Sequence, residues 1–173
     1  MTALSGIINH GIAPVWDKNS EILILGSFPS VKSRESRFFY GNRQNRFWRV
    51  LSAVLGEKVP ITTEEKTRLL LENHIALWDV IASCEIEGSS DSSIRNVTAN
   101  DITPILKGSR VKAIFVNGAA ADRLYKRYIY PVTGMMAIRL PSTSPANASK
   151  KLDDLIEAWK AEICGRMKKN QIE

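Results

Sequence analysis

A short apolar run, Ile22–Leu25, ends directly in the sequence Gly-Ser-Phe-Pro-Ser and constrains the fold more than any other feature of the chain. A continuous apolar run of this length is typical of a strand buried on both faces, as in a parallel sheet. Gly26 permits a tight exit from the strand, and Pro29 prevents its continuation. A loop rich in arginine, asparagine and aromatic residues follows, up to Trp48. We therefore expect a binding site at the carboxyl end of this strand.

Further apolar runs alternate with segments of helical periodicity along the chain. This alternation predicts the α/β fold class, as a three-layer α/β/α sandwich with a central four-stranded parallel sheet. Ligands bind outside the carboxyl ends of such strands, so the loops after the four strands should face one another. The predicted strands are Ile22–Leu25, Ile75–Val80, Val111–Val116 and Met135–Leu140, and the predicted helices cover 45–55, 62–73, 99–107, 119–128 and a last segment capped by Ser149.

Length and composition predict one domain over residues 1–173. The chain is 44% hydrophobic and 24% charged, which suits a compact domain with a full core. Residues 1–20 lack periodicity and are predicted to be irregular, and the basic tail 165–173 is predicted to fray. The serine-rich stretch 82–99 is too long for an ordinary connector. Within it, Asp91 and Arg95 either pair on a short helix or belong to a mobile lid.

The charge balance favours an anionic partner. The formal net charge is +6, a value that fits nucleic acid. No segment resembles a signal peptide or is long enough to span a bilayer, so we expect a cytoplasmic protein without a membrane partner. Cys84 and Cys164 have no metal-ligand spacing, and no triad, Walker loop or GxGxxG motif is present. We expect a monomer with no metal and no cofactor, including no iron–sulfur cluster.

The side chains that follow the predicted strands are amides, hydroxyls, aromatic rings and guanidinium groups. An asparagine presents a donor and an acceptor that match the edge of a nucleobase, and aromatic rings stack on bases. Serine hydroxyls and free backbone N–H groups bind phosphates. Together they suit an enzyme that takes one base out of the stack and acts on it. Phe47 and Trp48 are predicted to be core instead, because they open an amphipathic helix.

Two motifs of the chain resemble those of the uracil-DNA glycosylase superfamily. Gly26-Ser-Phe-Pro29, followed by a loop ending in Asn45-Arg-Phe-Trp48, is similar to its first motif, and Leu140-Pro-Ser-Thr-Ser144 is similar to its second, DNA-gripping motif. Phe28 stands where better-known members carry the Asp or Asn that handles the attacking water. With the loop FYGNRQNRFW, this departure is similar to the hypoxanthine-DNA glycosylase branch. The resemblance implies a glycosylase that excises hypoxanthine from DNA containing deaminated bases, in base-excision repair.

The resemblance also implies roles for individual residues. Asn42 is expected to position the water that attacks C1′, with Asn45 as second choice, although Asn45 is equally suited to cap the helix it opens. Phe38 or Tyr40 would stack on the base. Asn117 would either hydrogen-bond the base edge or serve only as a turn residue. The expected base-binding residues are Ser27, Phe28, Phe38, Tyr40 and Asn117, and the expected DNA-binding residues are Pro141, Ser142, Thr143, Ser144, Pro145, Asn147 and Lys150.

Other expectations concern the surroundings of the site and the alternatives. The loop that follows the first predicted strand and runs up to Trp48 is called the first loop below. It is expected to present a positive face towards DNA through Arg34, Arg37, Arg43 and Arg46. No lysine is placed to form a Schiff base, which predicts a monofunctional enzyme, associated with the nucleoid when it acts on DNA. The alternative functions are a mismatch-specific uracil or thymine glycosylase and a nucleic-acid-binding module that has lost catalysis.

Overall fold

A computed structural model describes residues 6–167, and its centre is a four-stranded parallel sheet. The order of its strands is β3-β2-β6-β7, and a three-stranded sheet of order β1-β4-β5 lies beside it. In chain order the elements are β1 (Ile8–Asn9), β2 (Ile22–Gly26), α1 (Val31–Ser36), α2 (Phe47–Leu55), α3 (Thr63–Glu72), β3 (Ile75–Asp79), β4 (Ile81–Glu85), a 3-10 turn (Asp91–Ser93), β5 (Arg95–Ala99), α4 (Thr103–Gly108), β6 (Ala113–Asn117), α5 (Ala119–Tyr128), α6 (Tyr130–Thr133), β7 (Ala137–Leu140) and α7 (Leu152–Met167).

Strands β2, β3 and β6 of the central sheet are buried on both faces, as their continuous apolar runs predict, whereas the edge strand β7 is partly exposed. Along β2, Ile22 and Ile24 pack into a core with α2, α3 and α7. Leu23 and Leu25 point to the opposite face and pack into a second core with α4, α5 and the smaller sheet. This arrangement confirms the predicted α/β class with a four-stranded parallel sheet between two layers. The predicted core positions Phe47 and Trp48 are also confirmed, since both are buried.

Local hydrogen bonds explain where the helices begin. Thr62 caps α3 by accepting from the Glu65 backbone N–H; the sequence alone leaves Thr62 and Thr63 as alternatives for this cap. Helix α2 begins at Phe47, two residues later than expected, because the side-chain Oδ1 of Asn45 accepts from Phe47 N in a turn and Arg46 is the cap residue. The Ser149 cap is wrong, because α7 begins at Leu152 and Asp154 accepts from Lys151 N.

The smaller sheet corrects two expectations. Residues 82–99 are not one long loop, because β4 and β5 pair antiparallel within them, and the predicted helix over 99–107 starts only at Thr103 because Ala99 ends β5. Residues 6–20 are not wholly irregular, because β1 pairs with β4 and Val15 bridges to Leu77. Arg95 forms its ion pair with Glu85, at 3.1 Å, rather than with Asp91.

The carboxyl-terminal helix is longer than expected. Helix α7 continues to Met167, so residues 165–167 are helical rather than frayed. The remainder of the predicted fraying tail, 168–173, lies outside the described residues, as do residues 1–5. Over 6–167, the structure contains no helix with the length and apolar character that crossing a bilayer requires.

Candidate active site

A cavity opens at the carboxyl ends of the parallel strands, where the sequence predicts a site. Its walls come from the loops after β2, β6 and β7, from the end of β3, and from the segment between β4 and β5. Most of the predicted site residues are brought together here. The lining residues are Gly26, Ser27, Phe28, Pro29, Ser30, Ser33, Phe39, Tyr40, Asn42, Asn45, Asp79, Ser89, Asp91, Asn117, Ser142, Thr143, Ser144 and Pro145.

A network of hydrogen bonds joins the loops after β2, β6 and β7. The Asn117 amide nitrogen donates to Tyr40 Oη at 3.1 Å and to Thr143 Oγ1 at 3.0 Å. Its carbonyl oxygen accepts from Thr143 N at 3.1 Å, and Thr143 Oγ1 donates to Asn45 Oδ1 at 2.8 Å. Asn117 is therefore more than a turn residue, because its amide fixes the first loop against the loop after β7.

Asn42 and Asn45 of the first loop differ in how many lone pairs of their Oδ1 atoms remain free to accept a hydrogen bond. Asn45 Oδ1 accepts from Phe47 N at 2.9 Å as well as from Thr143, so both of its lone pairs are used. Asn42 Oδ1 accepts from Gln44 N at 2.9 Å. One lone pair of Asn42 Oδ1 thus stays available for a ligand in the cavity, since a carbonyl oxygen has two.

The aromatic residues of the first loop divide between core and cavity. The Tyr40 ring stacks on Phe47 with the centroids 3.9 Å apart and lines the cavity. Burial, with Asp79 nearby, raises the pKa of Tyr40 and keeps its hydroxyl protonated. Phe38 does not line the cavity, because its ring packs against Trp48 and Phe39. Phe39, which the sequence did not single out, lines the cavity in its place.

Asp79, at the end of β3, is a lining residue that no sequence motif predicts. It is 4% exposed, and its Oδ2 atom is buried without a hydrogen-bond partner among the described residues. Burial, reinforced by the nearby Asp91 charge, raises the pKa of Asp79 to about 8. A lone Asp at a strand end is common, so the only sequence signal was its place beside the predicted site.

The segment between β4 and β5 docks against the first loop. Ser27 Oγ donates to Asp91 Oδ1 at 2.8 Å, and Val31 N donates to Ser89 Oγ at 3.0 Å. Arg34 donates to Gly88 O at 2.9 Å, while its guanidinium lies 5.3 Å from the centroid of the Phe28 ring. The serine-rich stretch therefore forms one wall of the cavity.

The loop after β7 is held by Arg46. Its guanidinium donates to the carbonyl oxygens of Ser144, Asn147 and Lys150, and its backbone N donates to Thr143 O at 3.0 Å. Arg46 was expected to present its charge to DNA. Its guanidinium instead binds these carbonyl oxygens and so joins the first loop to the loop after β7. Arg34 is likewise engaged by protein, whereas Arg37 and Arg43 are exposed.

Three of the expected DNA-binding residues lie beside the cavity and not in its wall. Pro141 O accepts from Trp159 Nε1 at 2.9 Å, and Asn147 Nδ2 donates to Ser142 O at 3.0 Å, so both support the loop. Lys150 is exposed. No helix begins at Ser149 beside these residues, because α7 begins at Leu152.

The two histidines lie outside the cavity lining. His10 Nδ1 accepts from Ile12 N at 2.9 Å, so its Nε2 carries the proton and donates to Ile81 O at 2.9 Å. Burial lowers the pKa of His10, in accord with this neutral form. His74 lies between α3 and β3 in the left-handed conformation, with φ of 59°. Over residues 6–167 no group of three or more His, Cys, Asp or Glu side chains is arranged to hold a metal ion.

The structure is thus an α/β protein with an amide-lined cavity at the carboxyl rim of its parallel sheet, the usual place for a ligand site in this class. The family model of the uracil DNA glycosylase superfamily matches residues 13–162. The chain belongs to this superfamily. It is therefore a DNA glycosylase by class, and DNA is its substrate.

Individual relatives agree with this assignment. The chain is 37% identical over 143 residues to a protein of Methanosarcina acetivorans named hypoxanthine DNA glycosylase, covering 82% of this chain and 89% of the relative. A protein of the same name from Methanosarcina barkeri is 38% identical over 112 residues, covering 63% and 70%. A solution NMR structure from M. acetivorans, described as a candidate uracil DNA glycosylase, superposes with a TM-score of 0.76 at 35% identity, covering 91% of this chain and 96% of that one.

Proposed function

We propose that this protein is a monofunctional DNA glycosylase that removes hypoxanthine from deaminated DNA in base-excision repair. The observation that carries the proposal is the pair of cavity asparagines, Asn42 and Asn45, in a loop where Phe28 takes the position of the usual water-handling residue. The name shared by two relatives, hypoxanthine DNA glycosylase, supports this choice of base. The absence of lysine among the described lining residues supports hydrolysis without strand cleavage.

In the proposed mechanism Asn42 positions the attacking water. Its free Oδ1 lone pair accepts a hydrogen bond from water and directs the water oxygen towards C1′. Asn45, whose carbonyl is fully engaged, holds the loop in the geometry that Asn42 needs. The sugar gains oxocarbenium character as the base leaves with the electrons of the C1′–N9 bond. A neutral amide stabilises that cation less than a carboxylate would, so catalysis depends more on stabilising the leaving base.

The extruded base is proposed to lie between two rings that are each supported from behind. Tyr40 is covered on one face by Phe47, and Phe28 is covered by the Arg34 guanidinium. Both rings line the cavity. Backbone N–H groups near Ser27 and Phe28 are the donors that we assign to the edge of the base. The Asn117 carbonyl keeps one lone pair for the same purpose, since Thr143 N takes the other.

The loop after β7 is proposed to bind the DNA backbone. Ser142 and Ser144 accept bonds from backbone N–H groups within the loop, which leaves their hydroxyl protons to donate to phosphate oxygens. Pro145 and Ala146 are exposed at the edge of the cavity and are placed to fill the gap left by the flipped nucleotide. Lys150 adds a positive charge next to them.

The test is base release from duplexes that carry a single inosine, uracil, xanthine or thymine·guanine lesion. We expect hypoxanthine to be released fastest, with strand breaks only after alkali treatment. Asn42→Ala should lower the single-turnover rate about 10²-fold or more, a typical loss for a positioned catalytic group. Gln44→Ala is the matched control, because Gln44 is an exposed amide of the same loop and should keep the wild-type rate.

A uracil DNA glycosylase is the second candidate, favoured by the description of the structural relative from M. acetivorans. The two candidates share the cavity and differ in the base that they release. Uracil release much faster than hypoxanthine release would replace our choice with this one. If the wild-type protein releases no base but binds DNA with strong salt dependence, both enzymatic candidates fail.

A further inference from the structure

The proposed mechanism stabilises the leaving base by hydrogen bonds alone, although the cavity also contains a buried carboxyl. We propose that Asp79 is the general acid of the reaction and delivers its proton to N7 of the departing hypoxanthine. This inference rests on the proposed function and deepens it. Asp79 would be a catalytic residue in the strict sense, since it contacts the base that leaves.

The position of Asp79 supports this role. The residue ends β3, is 4% exposed and lines the cavity. Its Oδ1 atom lies only 2.6 Å from the place where a Cβ on Gly26 would be, so it occupies space that only a glycine at position 26 provides. Its Oδ2 atom is buried and has no hydrogen-bond partner among residues 6–167. A buried carboxyl oxygen without a partner is costly in a fold and is a candidate for a ligand contact.

The charged and titratable groups around Asp79 keep its proton in place. Asp91, on the 3-10 turn, repels a second negative charge, and Tyr40, on the first loop, is neutral. Asn100, which follows β5, donates to the Asp79 backbone carbonyl at 2.9 Å and leaves the carboxyl untouched. Arg123, on α5, acts on Asp91. Because burial and Asp91 raise the pKa of Asp79 to about 8, the group is an acid at neutral pH.

The chemical step balances without a further reactant. The C1′–N9 bond breaks, and its electron pair moves into the imidazole ring of the base. The proton leaves Asp79 for N7, so hypoxanthine departs neutral and Asp79 becomes a carboxylate. Water then forms a bond to C1′, and the proton that it loses returns to the Asp79 carboxylate. With its sugar outermost, the base enters the cavity with the six-membered ring first, and we place its O6 and N7 side towards Asp79, which lines the cavity at the end of β3.

The first test compares wild type with Asp79→Asn, which keeps the shape of the side chain but carries no acidic proton. We expect the single-turnover release of hypoxanthine at pH 7 to fall about 10²- to 10⁴-fold. DNA binding should change little, since the cavity is kept. Glu72→Gln is the control, because it removes an exposed carboxylate at the end of α3, near the amino end of β3 and so remote from the cavity, and should keep the wild-type rate.

The second test uses pH, which a purely structural role would not link to the rate. The ratio of wild-type to Asp79→Asn kcat/KM should fall about tenfold per pH unit above the pKa of about 8, and titration of the substrate cancels in this ratio. Asp91→Asn should move the fall to lower pH, because it removes the charge that raises the pKa of Asp79. A ratio that stays flat from pH 6 to 9.5 would overturn the inference.

The third test removes the proposed proton acceptor from the substrate. In 7-deaza-2′-deoxyinosine, carbon replaces N7. If Asp79 protonates N7, wild type and Asp79→Asn should release the 7-deaza base equally slowly, although they differ on inosine. A full Asp79→Asn loss on both substrates would overturn the inference. Wild type that releases no hypoxanthine refutes the proposed function and with it this inference, whereas equal release of hypoxanthine by wild type and Asp79→Asn refutes the inference alone.

Discussion

Gly26 and Asp79 share one small volume at the ends of β2 and β3. The two residues are register partners in the parallel sheet, and the carboxyl of Asp79 lies where a side chain on Gly26 would start. The Tyr40 hydroxyl approaches the same point to 3.0 Å. A glycine at this position is therefore required by close approach and not by backbone conformation.

Gly26→Ala should destabilise the protein and impair catalysis together. The new Cβ would stand 2.6 Å from Asp79 Oδ1, and the buried neighbours can give way only by straining the core. We expect a loss of about 1–3 kcal/mol in the free energy of unfolding, measured by urea denaturation. Gly165→Ala is the control, because no atom lies within 4 Å of its Cβ position and it lies in α7, where alanine should stabilise by about 0.5–1 kcal/mol. Equal stability of the two variants would contradict the close approach.

Asp79→Asn should stabilise the protein at neutral and alkaline pH. The pKa of Asp79 is about 8 in the folded state against an ordinary value of 3.8, so the folded state binds the extra proton between these limits. Stability from this group is complete below pH 3.8 and is lost as pH rises through about 8. The variant should therefore gain about 1–3 kcal/mol over wild type at pH 9, and less at pH 5. Thermal unfolding at both pH values measures this, and a gain that does not depend on pH would count against the raised pKa.

At the scale of elements, Arg46 joins the first loop to the loop after β7. Arg46→Ala would leave three carbonyl oxygens without their donor. We expect a loss of about 2 kcal/mol in stability, measured by urea denaturation, because bonds to a charged donor contribute more than neutral ones. DNA affinity should fall as well, since the loop after β7 loses the hydrogen bonds that hold it in place. Arg49→Ala, an exposed position of α2, should stay within about 0.5 kcal/mol of wild type.

The elements also differ in how well the sequence predicts them. The strands of the parallel sheet were predictable because burial on both faces leaves apolar runs such as Ile22–Leu25. The smaller sheet was not, because β5 is mostly exposed and polar and therefore lacks any such run. The six-residue helix α1 was missed for a related reason: it buries only Ser33, so it carries no apolar period.

The same limit applies to the candidate site. The topology predicts which loops meet, so Asn42, Asn45, Asn117 and Ser142 could be grouped from sequence before any coordinates. Which way a ring points within a loop depends on packing, and Phe38 turns towards Trp48 instead of the cavity. The environment of Asp79 depends on long-range contacts with Asp91 and Gly26, which no local pattern encodes.

At the scale of the whole molecule, the net charge of +6 should appear in the salt dependence of DNA binding. Each phosphate neutralised by a cation contributes about 0.9 to the slope of log Kobs against log salt concentration. Lys150→Ala and Arg43→Ala should each lower this slope by about 0.9, because both side chains are exposed on loops at the rim. Lys58→Ala, beyond the far end of α2, should leave it unchanged. Fluorescence anisotropy at several salt concentrations measures the slopes, and equal slopes for all variants would remove these loops from the DNA interface.

The hydrogen-bond network around Asn117 bears on how quickly a damaged base is captured from DNA. Both amide protons of Asn117 and both lone pairs of Asn45 Oδ1 are satisfied before any nucleotide arrives. The pocket is thus shaped in advance, and little reshaping should delay a base that reaches it. Unstacking and unpairing of the base in the double helix should then be the slow step. Lesions in loosely stacked or mispaired surroundings should therefore be excised first.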